Sequence, residues 1–66
     1  MDRQSVDHPR LLDVKTAAQF LGISPWTLRA LQWKGTLPYV QFNRKIYFDR
    51  EDLDDFIERH KFRESP

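Results

Sequence analysis

Along LLDVKTAAQFLG, residues 11–22, the apolar positions Val14, Ala17, Ala18 and Leu21 recur at i, i+3, i+4 and i+7, the signature of one buried helix face. Asp13 stands where a cap accepts the first free amides, and Gly22 where a chain leaves a helix through the left-handed region. The spacing predicts a helix over about residues 14–21. Only Gly22 and Ile23 separate it from Ser24, which caps a second helix with Pro25 in the favoured first position and Ile23 at staple spacing from Leu28. Gly35 stops that helix. Leu28 and Leu31 mark its inward side, whereas Trp26, Arg29 and Trp33 form a stripe pointing away from them.

Beyond TLP the period changes from that of a helix to two. In YVQFNRKIYF, residues 39–48, Val40 and Phe42 share one face of a strand and Ile46 and Phe48 share one face of the next. Putting all four on the same side requires Phe42 opposite Ile46, with Asn43, Arg44 and Lys45 as a three-residue loop and Asn43 accepting positive φ. Asp49 then caps a third helix, with Phe48 and Leu53 at staple spacing, Asp52 at the third helical position, and Leu53, Phe56 and Ile57 as its apolar face. The acids Glu51, Asp52, Asp54 and Asp55 crowd its first turns, where the helix dipole favours them. The resulting expectation is a leader over 1–10, one domain over 11–61 and a tail over 62–66, with Phe62 able to fold back onto the core.

Composition sharpens this pattern. Sixty-six residues allow a single domain, and one of this size buries only ~60% of the surface its unfolded chain exposes. There is no cysteine, hence neither disulfide framework nor thiolate metal site, which fits a reducing compartment. No apolar run reaches ~18 residues and no signal-peptide core is visible, so a soluble, cytoplasmic chain without a membrane partner is expected. The net charge of +1 conceals an asymmetry: residues 10–47 carry +5, residues 48–66 carry −3 and residues 1–9 carry −1. A basic middle suits a polyanionic partner, although ordinary solvated charge explains the same numbers.

Two short helices joined by a Gly-containing turn form a helix-turn-helix unit, whose second helix is placed to enter a DNA major groove. The order helix, turn, helix, LP, hairpin, helix resembles the small winged-helix domains of the excisionase and MerR-like class. The resemblance rests on LLDVKTAAQFLGIS, TLRALQWKGTLP and VQFNRKIYFDREDLDDFI, nearly the whole chain. It implies a mainly α fold with a small β-hairpin, a winged helix-turn-helix whose second helix enters the major groove and whose wing touches the flanking backbone. It also implies no catalysis and no cofactor. Matched residue by residue, it puts Thr27, Arg29 and Lys34 at contact positions of the second helix and Arg44 and Lys45 at the wing tip. This chain departs from the class at Trp26 and Trp33, where basic side chains are common, at Gln32, where an apolar one is common, and at Asn43, where a glycine begins the wing.

Each candidate has a plain alternative. Arg29 can fork onto a guanine edge or a phosphate, or be a solvated arginine. Lys34 lies near a helix C-terminus, where a cation is favourable without DNA. Arg44 and Lys45 suit a phosphate clamp, or merely solubilise a loop. Trp26, near the helix N-terminus, is read as a DNA contact through a thymine methyl or sugar carbons, and Trp33 as partly covered by the wing or tail. Catalytic readings find no partners: His8 lies in the leader, His60 at a helix end, Ser24 lacks a base, and the carboxylates of 49–58 lack the spacing of a calcium loop. The expected function is sequence-specific binding of double-stranded DNA, by an excisionase-type architectural factor or a small transcriptional regulator. An integrase or further copies of the chain are the expected partners, and no small-molecule substrate is. The competing expectation is a protein-interaction adaptor that docks through the Trp26, Arg29 and Trp33 stripe.

Overall fold

The computed structural model describes residues 9–62. Most of the expected leader, including His8, and residues 63–66 of the expected tail lie outside the described residues. In chain order the elements are β1 (Leu11–Asp13), α1 (Val14–Leu21), α2 (Pro25–Trp33), β2 (Val40–Phe42), β3 (Lys45–Asp49) and α3 (Arg50–Arg59).

The helices begin and end for local reasons. Asp13 accepts the Thr16 amide at 2.8 Å, Ser24 accepts the Thr27 amide at 3.1 Å, and Asp49 accepts the Glu51 amide at 3.0 Å, so each helix has a side-chain cap. Gly22 leaves α1 at φ 75°, which lets the Ile23 amide reach back to the Ala18 carbonyl at 3.0 Å. The same closure follows α2, where Gly35 at φ 77° allows Thr36 to donate to Leu31 at 3.1 Å. Three residues, Gly22 to Ser24, therefore separate the two helices.

The fold is a three-helix unit with a three-stranded antiparallel sheet, in the order β1-β3-β2, rather than one with a two-stranded hairpin alone. The added strand is β1. It pairs Leu12 with Phe48 and so brings Leu12 into the core. The chain just before it is fastened as well: Arg10 accepts the Arg50 amide on its carbonyl at 2.8 Å and forks its guanidinium onto Asp49, with Nη2 to Oδ2 at 2.9 Å.

The hairpin register differs from the expected one. Phe42 pairs with Lys45, Gln41 with Ile46 and Val40 with Tyr47, leaving only Asn43 and Arg44 in the turn. Both have positive φ, 52° and 63°, the backbone of a two-residue type I′ turn whose twist matches that of the strands. Moving the pairing by one residue puts the side chains of β2 on the other face. Val40 and Phe42 consequently lie on the outer face with Tyr47, against which Phe42 stacks at 4.9 Å, while Ile46 and Phe48 face inward.

The core consists of Leu12, Ala17, Ala18, Leu28, Leu37, Phe48 and Leu53, so every helix contributes and β3 supplies the largest member. Ile23, Leu31, Ile46 and Phe56 pack around it. Phe62 does not fold back, being 92% exposed. Among the described residues no helix is long and apolar enough to cross a membrane.

Candidate nucleic-acid interface

Helix α2 is built to hold one side still and show the other. Leu28 is fully buried and Gln32, one turn later, is buried beside it, so the helix is anchored through its i, i+4 stripe. On the opposite side Trp26 is 73% and Trp33 61% exposed. Trp33, expected to be partly covered by the wing or the tail, has its ring contacts among the described residues with Trp26 and Arg29 of its own helix instead, and residues 63–66 of the tail lie outside the described residues.

Trp26, Arg29 and Trp33 form one assembly. The two indoles meet edge to face, with ring centres 5.8 Å apart and an 88° angle between planes. The Arg29 guanidinium carbon lies 5.4 Å from the centre of the Trp33 ring, within range of a cation–π contact. Arg29 is half-buried, and its Nε is covered by protein with no hydrogen-bond acceptor among the described residues. Thr27 lies in the first turn of α2, exposed, its hydroxyl 2.9 Å from that of the cap Ser24.

The remaining cations are spread out. Lys34 is exposed at the C-cap of α2, at the negative end of the helix dipole. Arg44 is the second residue of the hairpin turn and is exposed at the tip. Lys45 is not in the loop, contrary to expectation, because the two-residue turn makes it the first residue of β3. There it shares a shallow depression with Asp13, Val14, Lys15, Ile46 and Tyr47. The Asp13 carboxyl is held below the ordinary carboxylate range, first by the Thr16 amide and hydroxyl and then by the nearby Lys15 and Lys45. Lys45 thus has an acid for a neighbour, and Arg44 alone of the pair points from the turn.

Several acids of residues 48–62 already have cationic partners. Asp49 is held below the ordinary carboxylate range by its hydrogen bonds from Arg10 and from the Glu51 amide. Arg59 pairs with Asp55, and Lys61 with Glu58 at 2.8 Å. His60 packs on Phe56 and has its Nδ1 2.8 Å from the Phe56 carbonyl, which makes it a helix-end residue.

Gln32, noted above only as a polar residue where an apolar one is common, belongs to this region as well. Its position four residues after Leu28 signals an inward side chain, and its Oε1 is buried without a hydrogen-bond donor among the described residues.

A comparison with curated proteins finds no match. The model of the helix-turn-helix domain family matches residues 11–61, from β1 through the end of α3, and so includes both the capped helix pair and the hairpin. The chain belongs to the helix-turn-helix domain family, and DNA is the partner to which that membership points.

Proposed function

We propose that this protein is a sequence-specific double-stranded-DNA-binding protein, with α2 in the major groove and the hairpin on the flanking backbone. In this reading Trp26, Thr27 and Arg29 read base edges, and Lys34, Arg44 and Lys45 neutralise phosphates. The observation that carries it is the two-sidedness of α2: a helix anchored by Leu28 directs Trp26 and Arg29 away from the core, within a family whose second helix is its DNA-contacting element. The role is that of an excisionase-type architectural factor or a small transcriptional regulator. A single module of this kind buries ~600–1,000 Å² on DNA. Useful occupancy therefore calls for an integrase or additional copies of the chain beside it.

The test is selection from a random duplex pool followed by gel shift at low salt. Enrichment of one sequence family, with weaker binding to unselected duplex, is the expected result. No shift even at low salt overturns the reading. It would favour the protein-interaction adaptor, for which the 61% exposure of Trp33 is the supporting observation.

A further inference from the structure

Two polar side-chain atoms are buried without a hydrogen-bond partner among the described residues: the Nε of Arg29 and the Oε1 of Gln32. One is a donor with nothing to donate to and the other an acceptor with nothing to accept. They lie three residues apart on the same helix, where side chains are neighbours with Cβ atoms about 5–6 Å apart. A buried polar atom left unsatisfied costs about 1–3 kcal/mol, so two complementary ones side by side on a helix have a common remedy. We propose that Gln32 is a positioning residue for Arg29, its Oε1 accepting the Arg29 Nε–H so that the guanidinium presents its two terminal nitrogens outward.

The geometry around the pair gives this contact a purpose. Arg29 already lies over the Trp33 ring at 5.4 Å, and Trp33 is braced edge to face by Trp26. The indole limits the guanidinium from its face but leaves it free to rotate about its own axis. A bond to Nε removes that rotation. What stays exposed is the pair of Nη groups, the fork that recognises a guanine edge or a phosphate in bidentate fashion. Gln32 itself is buried on the inward side of α2, so its influence on a partner passes through Arg29. This explains why a polar residue stands on a stripe that Leu28 otherwise makes apolar.

The inference rests on the DNA-binding reading for its consequence but not for the contact, and the experiment separates the two. In the free protein, 15N NMR follows the exchange of the Arg29 Nε–H with water in the wild type, in Gln32→Leu and in Gln32→Glu. Leucine fills the same space without an acceptor, whereas glutamate retains one. Exchange is expected to be about tenfold faster in Gln32→Leu, the factor lost with one ordinary hydrogen bond, and to remain slow in Gln32→Glu. Thermal melting should fall in Gln32→Leu and less in Gln32→Glu, since leucine leaves the covered Arg29 Nε–H without its acceptor. On the duplex recovered by selection, Gln32→Leu is expected to weaken binding about tenfold in the wild type and to have no further effect in Arg29→Ala.

Unchanged Nε–H exchange in Gln32→Leu overturns the proposal. So does an equal affinity loss from Gln32→Leu with and without Arg29, which would make Gln32 an independent determinant. If exchange responds as expected but no duplex binds, the contact stands and the DNA-binding reading fails.

Discussion

Among the described residues an aromatic pair on α2 and another on the hairpin are supported in opposite ways. Trp26 and Trp33 lie edge to face on α2, whose other side is locked by fully buried Leu28. Phe42 and Tyr47 stack at 4.9 Å across β2 and β3, but every residue of β2 is exposed and the strand's ladder is with β3 alone. The helix is therefore held by the core directly, whereas β2 and the turn reach it only through β3, which carries Phe48 and Ile46. Reading a base edge demands placement to within a hydrogen bond, while a phosphate can be met from a range of positions. The anchored element suits the first task and the less anchored one the second.

The largest effect that can break this contrast is core truncation. Phe48→Ala should destabilise the domain by ~3–5 kcal/mol, because the ring is fully buried where β3, β1 and α3 meet. Phe42→Ala, which removes a half-exposed ring from the outer face, should cost no more than ~1.5 kcal/mol. Urea melts of the two variants check both values, and equal losses would mean that β2 is part of the core after all. Next in size, Ser24→Ala should cost ~0.5–2 kcal/mol by removing the cap of α2. DNA binding should then weaken only as far as folding does, as measured by titration under conditions where the variant is fully folded.

The helix half was legible in the sequence because its determinants are local. Asp13, Ser24 and Asp49 act on amides two or three residues away, and Gly22 and Gly35 end helices through their own φ, so caps and stops could be read without tertiary knowledge. The sheet was less legible because its determinants are distant or atypical. β1 is three residues long and its partner β3 lies more than thirty residues later, so no local pattern announces it. The register depended on Arg44 adopting φ 63°, a conformation that an arginine seldom takes, and a one-residue difference in loop length reversed the face of Val40 and Phe42. Leu37, buried in the loop after α2, belongs to no periodic segment. At the candidate site, the outward stripe followed from helical spacing alone. The inward side of Gln32, four residues after Leu28, was legible in the same way, whereas how far Trp33 stays uncovered depends on neighbouring elements, which spacing does not contain.

A smaller effect sharpens the view of the hairpin. Arg44→Gly relieves a left-handed arginine and should stabilise the domain by up to ~1 kcal/mol. If Arg44 meets phosphate, the same change should weaken every duplex about equally. Rising stability with falling affinity, from urea melts and titrations on one sample, would distinguish a phosphate contact from a structural residue.

The smallest effect concerns acid. Asp13 and Asp49 are both held below the carboxylate value of the unfolded chain, about 3.9. Their contribution to stability is present above that pH and is lost as pH falls through the lower folded values. The urea midpoint should therefore decline below about pH 4. Asp49→Asn, which keeps a cap but loses the Arg10 pairing, should flatten part of that decline.

The division of labour between anchored helix and exposed hairpin is tested most directly by titrating Arg29→Ala and the double variant Arg44→Ala, Lys45→Ala on the selected and on a random duplex at several salt concentrations. Arg29→Ala should lose ~1–3 kcal/mol on the selected duplex and much less on the random one. The double variant should weaken both equally and reduce the salt slope of log K by up to ~2, about 0.9 per neutralised phosphate. Equal losses on both duplexes for Arg29→Ala, together with an unchanged slope for the double variant, would contradict the account.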